Sequence, residues 1–345
     1  NMSSIKPLLS IIIPVLNEEQ NLQRLFTSLA KQTYPRERIE YLLMDDGSTD
    51  GSNGLARKFG AEIIDIDRSK HQHPVSYWTE FNKGLGLRMA RGEFVYFMDA
   101  DMEICVDNFF QLMIEPMLKD QEIVGSFTKE FALDCLPKID NSLLRFISHD
   151  PLQRDPIYRF FSNDIANTVV AEFDNYQLCW FEPGKIPPCG RIMYKKKELL
   201  KTEVDKIAGF YDLDALEVVV AAGWHNFAYV PKAKLRHYHV TSLRNLIKKR
   251  LRNLDGNYFS TTDKKYAWFD INSPKDLDKI IYWIVYANLF FPELVRGLWE
   301  SFVKSDWAFM WRPVVSLVIT DVLLWGFISR SKGREIIKKV LGLSQ

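Results

Sequence analysis

Cysteine is scarce in this sequence, and the few cysteines present do not form a recognisable pattern. The 345 residues include 4 cysteines, none of them in a C-x-x-C pair. That number is too small for a disulfide scaffold. No cationic segment followed by an apolar leader opens the chain, which argues against secretion. We therefore expect a reducing, cytoplasmic setting.

Net charge is also nearly absent. Lysine and arginine exceed aspartate and glutamate by one residue, which leaves a formal charge of +1. A chain this close to neutral does not attract nucleic acid through its overall field. We therefore expect no nucleic-acid partner.

Apolar runs long enough to span a bilayer are not evident. Residues 280–292 are uncharged, and Val314–Thr320 and Val322–Ser329 flank a lone Asp321. Neither region reaches the roughly 20 apolar residues that a spanning helix needs. Both carry Trp or Tyr and are bordered by Lys and Arg, which is typical of helices lying in a membrane interface. We predict peripheral contact with the cytoplasmic face of a membrane, and leave a packed helical hairpin or a dimer interface as the alternatives.

Two common phosphate-binding motifs are missing. The turn after the first predicted strand has no G-x-G-x-x-G and no G-x-x-x-x-G-K-[ST], which excludes a dinucleotide fingerprint and a P-loop. A nucleotidyltransferase would also need a glycine-rich, basic phosphate loop there, and residues 14–21 offer none. That activity is kept only as an alternative.

Alternating strands and helices occupy the first hundred residues. Apolar, β-branched runs predict strands at residues 8–15, 39–44, 61–66 and 94–98, with helical patterns at 19–31, 50–59 and 85–90 between them. This alternation predicts an α/β fold with a mostly parallel sheet flanked by helices.

Acidic residues follow the strand at 94–98. Asp99 and Asp101 are two positions apart, so in an extended chain they point to the same face. Two neighbouring carboxylates repel each other unless a cation lies between them, and a divalent metal that bridges to a phosphate would serve. An ordinary acidic turn is the alternative interpretation.

Polar residues also follow the first and second strands. Asn17 and Glu18 come after the first, and Asp45 and Asp46 after the second. Ligands of open parallel sheets bind at the carboxyl ends of the strands. Asp46 could accept hydrogen bonds from a nucleobase and Glu18 from ribose, while a metal at Asp101 would hold a diphosphate.

The ordered set of motifs resembles the family-2 glycosyltransferases of GT-A fold. They are Ser10–Glu18 (SIIIPVLNE), Asp45–Asp50 (DDGSTD), Asn82-Lys83-Gly84, Ala90–Glu93 (ARGE) and Asp99-Ala100-Asp101. The resemblance covers residues of about 8–105. It implies a Rossmann-like catalytic domain, an inverting reaction, a UDP- or GDP-linked sugar donor, and Mn²⁺ or Mg²⁺ at the aspartates. The implied donor-binding residues are Pro14, Val15, Asn17, Glu18, Asp46, Asn82, Lys83 and Asp99. The family often has Arg where this chain has Phe81, and Lys83 or Arg88 is a possible substitute.

The resemblance extends to later positions. Gly190 matches a glycine that lets the backbone approach the donor, although Cys189 stands where a second glycine is common. Asp212 lies eleven residues before Gly223-Trp224, where the family has its general base, but Tyr211 replaces the usual Glu. Asp214 is the rival base, and a helix cap is the structural alternative for Asp212.

Two histidines are candidates for a third metal ligand. We predict one strand from Tyr229 to His239, in which His237 and His239 would share a face. The resemblance implies a histidine near the metal, and imidazole with carboxylate suits Mn²⁺ better than Mg²⁺. We prefer His239, with His237 as the alternative.

The sequence thus predicts a catalytic domain at residues 2–242, with a nucleotide-sugar half at 8–105 and an acceptor half at 106–242. A C-terminal helical appendage at 243–345 opens with a basic helix that could bind diphosphate or anionic lipid. The expected function is transfer of a sugar to a glycan or lipid-linked acceptor, in a chain that could form oligomers. A non-catalytic membrane scaffold that binds a nucleotide is the alternative from another class.

Overall fold

The computed structural model describes residues 6–70, 78–129, 140–148, 160–187, 189, 191–206, 209–259 and 273–340. The chain divides into two compact units. The first comprises Asn1–Leu136 and Asp164–His237, and the second comprises Pro137–Asn163 and Tyr238–Gln345. The domain boundary at residue 242 stays a prediction.

The first unit contains a nine-stranded sheet and a two-stranded sheet among the described residues. The strands are β1 (Leu9–Val15), β2 (Ile39–Asp45), β3 (Glu62–Asp65), β4 (Phe94–Phe97), β5 (Met102–Ile104), β6 (Gly125–Phe127), β7 (Val169–Glu172), β8 (Gln177–Trp180), β9 (Met193–Lys195), β10 (Asn226–Tyr229) and β11 (Leu235–His237). The large sheet has the order β3-β2-β1-β4-β9-β6-β10-β8-β7, and β11 pairs with β5. Only β8 and β9 run against the other strands of the large sheet in the described residues. The predicted mixed, mostly parallel sheet is confirmed.

Helices flank the sheet in the first unit and build most of the second. They are α1 (Glu19–Leu29), α2 (Ser52–Lys58), α3 (Trp78–Met89), α4 (Phe109–Lys119), α5 (Ser142–Ile147), α6 (Lys196–Leu199), α7 (Asp212–Ala221), α8 (Leu243–Asn253), α9 (Pro274–Asn288), α10 (Phe291–Val303), α11 (Arg312–Ser329) and α12 (Ser331–Val340). Of these, α5 and α8 to α12 belong to the second unit.

Strand β1 lies between β2 and β4 in the sheet, and its apolar side chains are covered on both faces. All seven of its residues are buried. Ile11 and Ile13 belong to the same apolar core as Phe26 of α1, whereas Ile12 faces Gly86 of α3. Continuous burial of this kind explains why the strand reads as an unbroken apolar run rather than an alternating one.

The carboxyl ends of β2, β1 and β4 lie at one edge of the sheet. Strand β1 pairs in parallel with both neighbours. The Asp46 N–H donates to the Val15 carbonyl at 2.9 Å, and the Met98 N–H donates to the Ile12 carbonyl at 3.0 Å. The loops carrying the predicted donor and metal residues therefore leave the sheet side by side.

At Gly92 two backbone segments approach each other so closely that no amino acid with a Cβ would fit. A Cβ there would lie 2.5 Å from the Ser10 nitrogen and 2.6 Å from the Phe94 oxygen, and both are backbone atoms. Gly92→Ala is therefore expected to lower the free energy of unfolding by about 3 kcal/mol, measured by urea denaturation.

The matched control for this prediction is Gly54→Ala in α2. A Cβ at Gly54 meets no atom within 4 Å, so the change is expected to raise stability by about 0.5–1 kcal/mol through a lower backbone entropy cost. Equal effects of the two substitutions would contradict the close approach at Gly92.

The single strand predicted from Tyr229 to His239 is wrong. Strand β10 ends at Tyr229 and joins the large sheet, whereas β11 begins at Leu235 and pairs with β5. Pro231 lies between them and has no N–H to donate to a ladder. The consequence for function is that His237 belongs to the strand opposite Met102, beside Asp101.

The second unit has its own apolar core, formed by α5, α8, α11 and the 3₁₀ turn Trp307–Trp311. Its buried members include Phe146, Leu246, Phe309, Val315 and Ile319. Helix α8 begins with a cap, because the Ser242 hydroxyl accepts from the Asn245 N–H.

Helix α10 has polar residues on its buried side and apolar residues on its exposed side. Glu293, Gly297 and Glu300 are buried, and Arg312 of α11 forms ion pairs with both glutamates. Its exposed large apolar residues are Phe291, Val295, Leu298, Trp299, Phe302 and Val303. This distribution is the reverse of that expected for a helix on a water-facing surface.

One helical stretch among the described residues, Trp307–Ser329, has the length and composition to cross a membrane. Its mean hydropathy is 1.5 in the best window, of which 39% is buried. The apolar runs Val314–Thr320 and Val322–Ser329 therefore belong to one continuous helical stretch that includes Asp321. Length and composition alone do not distinguish a membrane span from a packed helix.

Candidate active site

The loops after β1 and β2 are joined by hydrogen bonds. The Asn17 carboxamide accepts from the Thr49 N–H at 2.8 Å, and the Asn17 N–H donates to the Ser48 hydroxyl at 2.9 Å. The Glu18 N–H donates to the Ser52 hydroxyl at 3.0 Å. Asn17 has φ of 55°, a left-handed conformation that asparagine tolerates better than most residues. Predicted donor residues Pro14 to Glu18 are thereby held against the Asp46 loop.

Asp46 binds an arginine that the sequence alone did not identify. The Arg68 guanidinium donates to both carboxylate oxygens of Asp46, with Nε 2.5 Å from Oδ1. The same guanidinium stacks 5.2 Å from the Trp78 ring centre. Hydrogen bonding to Asp46 raises the pKa of Arg68. Arg68 and Trp78 therefore join Asp46 as residues of the candidate base-binding end.

Asp101 lies against a histidine through the pairing of β5 with β11. The His237 Nε2 is 3.0 Å from Asp101 Oδ1 and 3.9 Å from Asp99 Oδ2. His239 follows two residues later, and one ligand atom each from Asp101, His237 and His239 lies within 4.8 Å of the others. The structure brings both candidate histidines to Asp101, with His237 buried.

Asp212 is the first residue of α7, and it does not act as the helix cap. The cap residue is Tyr211, whose side chain makes no capping hydrogen bond. The Asp212 carboxylate instead forms an ion pair with Lys83 at 3.7 Å and another with Arg191. Asp214, the rival base, is buried within the same helix.

Asp99 shares both of these cations with Asp212. Lys83 Nζ lies 3.6 Å from Asp99 Oδ1, and Arg191 bonds to Asp99 Oδ2. The predicted metal-binding aspartate and the predicted base are therefore bridged twice, although they lie 113 positions apart in the chain. Asp99 and Asp212 carry two negative charges, and Lys83 and Arg191 offset them.

Lys83 carries a charge in the interior because carboxylates surround it. Its side chain is 2% exposed. Burial opposes the charged form, but Asp212, Asp99 and Glu80 outweigh that effect and raise the pKa of Lys83 to about 12. Glu80 is one turn earlier in α3, and burial raises the pKa of its carboxyl despite the nearby Lys83. Lys83 is thus a fixed positive charge beside both aspartates.

The remaining predicted donor residues differ in position. Asn82 is buried in α3, and its Oδ1 makes no hydrogen bond among the described residues. Gly190 lies outside the described residues. Arg191 and Glu80 were missed by sequence reasoning because neither belongs to a recognisable motif. The only signal for Arg191 was its place directly after the predicted Gly190.

The residues around Asp101 suit a divalent ion. Carboxylate oxygen and imidazole nitrogen are ligands that Mn²⁺ accepts, and a hard oxygen-only site for Mg²⁺ would not include histidine. The close grouping of Asp101, His237 and His239 provides three such ligand atoms. The arrangement can therefore hold a metal next to the paired Asp99.

Comparison with known proteins identifies the family of the N-terminal part. Residues 10–134 match the family model described as Glycosyl transferase family 2. Glycosyltransferase AglE of Haloferax volcanii is 32% identical over 100 residues, which are 29% of this chain and 32% of that protein. Poly(ribitol-phosphate) beta-N-acetylglucosaminyltransferase TarS of Staphylococcus aureus is 35% identical over 99 residues, 27% of this chain and 16% of that protein. The chain thus matches about a third or less of these relatives' length.

A solved structure shares the fold over most of the chain. The mannosyltransferase PcManGT from Pyrobaculum calidifontis, in complex with GDP-Man and Mn²⁺, superposes with a TM-score of 0.51 at 14% identity. The superposition covers 93% of this chain and 88% of that one. The matched family model, the strand order and the motifs at the strand ends agree with one another. We conclude that the chain carries a domain of glycosyl transferase family 2 built on the GT-A fold.

Proposed function

We propose that this protein is a metal-dependent, inverting glycosyltransferase that uses a nucleotide-diphosphate sugar. The observation that carries the proposal is the convergence of Asp99, Asp101 and Asp212 with Lys83 and His237. A sugar transfer needs cationic groups for the leaving diphosphate and a carboxylate for the acceptor proton. Both kinds of group lie together here.

The donor would bind along the carboxyl edge of β2, β1 and β4. Asp46 with Arg68 would contact the base, and the joined loops at Asn17 and Glu18 would contact the ribose. Asp101, His237 and His239 would hold Mn²⁺ or Mg²⁺, with Asp99 beside them. When bound, the ion supplies positive charge that stabilises the leaving diphosphate. The fold neighbour's complex with GDP-Man and Mn²⁺ supports this assignment.

Asp212 would act as the general base. It accepts the proton of the acceptor hydroxyl as that oxygen attacks the anomeric carbon and the bond to the diphosphate breaks. Lys83 forms an ion pair with the Asp212 carboxylate and so holds it in place. A single displacement inverts the configuration at the anomeric carbon.

The experiment that tests the proposal is thermal unfolding with a panel of UDP- and GDP-linked sugars, with and without Mn²⁺. The matching donor at a hundredfold its Kd is expected to add about 2.7 kcal/mol, or roughly 5 °C in Tm, and only with the metal. Stabilisation by a nucleoside triphosphate together with a sugar phosphate would favour the nucleotidyltransferase instead. Donor binding without Mn²⁺-dependent hydrolysis would favour a scaffold, and no shift with any donor would reject the proposal.

We further propose that the acceptor is lipid-linked and that the second unit contacts the cytoplasmic face of a membrane. The apolar outer side of α10 supports this, because Trp299 and Phe302 are 68% and 69% exposed. Exposed Ile281, Tyr282 and Val285 of α9 add to the same kind of surface. Large exposed apolar areas mark sites of membrane or protein contact, and Trp, Tyr and Phe favour the membrane interface.

The basic helix α8 supports an anionic bilayer as the partner. Arg244, Lys248 and Arg252 are exposed at intervals of four residues, and the helix contains no acidic residue. Repeated Lys and Arg contribute about 1 kcal/mol each near an anionic surface. Within the second unit, Lys249 of α8 donates to the His239 carbonyl.

Trp299→Glu with Phe302→Glu is expected to lower binding to phosphatidylglycerol vesicles at least about tenfold, because two exposed aromatic side chains that would insert into the bilayer are replaced by charges. Vesicle sedimentation measures this. The control is Leu118→Glu on α4 of the first unit, whose side chain is 53% exposed and whose substitution is expected to leave binding unchanged. Membrane contact through α10 would be contradicted if the double variant bound vesicles as tightly as the unsubstituted protein. It would also be contradicted if the double variant lost a dimer and not vesicle binding.

A further inference from the structure

Arg191 bridges Asp99 and Asp212 through the two terminal nitrogens of its guanidinium. One terminal nitrogen donates to Asp99 Oδ2 and the other to Asp212 Oδ2. The side chain is 11% exposed, so these are not bonds of a solvated surface pair. Its backbone has φ of 59°, a left-handed conformation that is unfavourable for a long side chain. The fold thus accepts backbone strain at the residue that presents this fork.

The oxygen that Arg191 occupies on Asp99 is the one nearest the candidate metal ligands. Asp99 Oδ2 lies 3.9 Å from His237 Nε2, which in turn lies 3.0 Å from Asp101. The other Asp99 oxygen faces Lys83. A divalent ion held at Asp101 and His237 would therefore compete with the guanidinium for Asp99 Oδ2, because two cations at one oxygen repel each other.

A guanidinium that leaves a carboxylate in the interior needs another anion. A diphosphate offers pairs of oxygens that accept from the planar arginine fork, and arginine binds phosphate in this two-bond manner more favourably than lysine does. Lys83 would continue to bridge Asp99 and Asp212 during such an exchange, since it contacts different oxygens of both.

We propose that Arg191 is an exchangeable clamp: its guanidinium gives up Asp99 when metal and donor bind, and takes the donor diphosphate instead. This exchange rests on the proposed function. It frees the Asp99 oxygen for the metal site, loosens the hold on Asp212 so that the carboxylate can accept the acceptor proton, and supplies a positive charge to the leaving group. Arg191 is then both a competitor of the metal and a ligand of the diphosphate.

The test measures the Mn²⁺ affinity and the nucleotide affinity of Arg191→Gln. If the role of Arg191 were merely structural, its loss would not shift these two affinities in opposite directions. Mn²⁺ binding without nucleotide, followed by electron paramagnetic resonance, is expected to become about tenfold tighter, because the competing cation is gone. UDP or GDP binding with Mn²⁺ is expected to weaken at least about tenfold, whereas the corresponding monophosphate changes less than about twofold. Arg191→Lys keeps the competing charge but lacks the fork, so it should weaken diphosphate binding with little gain in Mn²⁺ affinity.

The matched control is Arg91→Gln, because Arg91 also pairs with two carboxylates, Glu40 and Glu62, but is 67% exposed and precedes the start of β4, whereas Asp99 follows the end of that strand. It should alter neither affinity. Unchanged Mn²⁺ and diphosphate affinities in folded Arg191→Gln, or equal losses for mono- and diphosphate, would overturn the clamp. If Arg191→Gln does not fold, Arg191→Lys decides the same question. A wild-type protein that binds no nucleotide diphosphate would overturn the proposed function itself, and the wild-type titration separates that outcome from failure of the clamp.

Discussion

Asp101→Ala is expected to reduce divalent-dependent sugar transfer about a thousandfold while leaving the fold intact. Asp101 lies 3.0 Å from His237 and is grouped with both His237 and His239, so its loss removes the carboxylate ligand of the proposed metal site. A bound metal contributes several kcal/mol to charge stabilisation, and about 4 kcal/mol corresponds to the stated factor. Initial rates over an Mn²⁺ titration measure the effect, and circular dichroism on heating tests the fold.

The control for this prediction is Asp107→Ala, which removes an exposed carboxylate six residues later and should leave the rate unchanged. Chelation of divalent ions should reduce the wild-type rate to the level of Asp101→Ala and should not reduce that variant further. Full activity of Asp101→Ala would reject the assignment of the metal to this residue.

Asp212→Asn is expected to lower kcat by about 10²–10⁴ while donor affinity changes less than about twofold. The carboxamide keeps the shape of the side chain but does not accept the acceptor proton, and general-base catalysis contributes a factor of this size. In the free protein Lys83 and Arg191 each retain Asp99 as a partner, so the site that the donor enters should persist. Donor titration and single-turnover rates separate binding from chemistry.

The rival base provides the comparison for this second prediction. Asp214 is buried in α7, whereas Asp212 keeps about a quarter of its side chain exposed at 23%. Asp214→Asn is therefore expected to affect stability more than turnover. Unchanged turnover in Asp212→Asn, with a large loss in Asp214→Asn, would transfer the role to Asp214.

The central strands could be predicted from the sequence because their burial is continuous. Strands β1 and β2 lie within one residue of the predicted bounds, since both are buried at all seven positions. Burial on both faces leaves a long apolar run that no helix pattern imitates at this length. The turn after β2 was equally clear, because Gly47 stands there among small polar residues.

The middle of the chain could not be predicted in the same way. Strands β6, β7 and β8 have three or four residues each, and so few positions carry no detectable period. The same limit produced the error at Tyr229–His239, where two short strands were predicted as one. Pairing partners far away in the chain decide whether such segments become strands.

The sequence by itself determined which acidic groups exist and that they follow strands sharing one direction, because apolar runs and turns are local properties of the chain. Only the tertiary structure decided which cations meet those acids. Arg191 lies 92 positions from Asp99, and Arg68 lies 22 positions from Asp46. Such pairings depend on how helices and loops pack over the sheet, and a buried carboxylate binds whichever cation that packing places within reach.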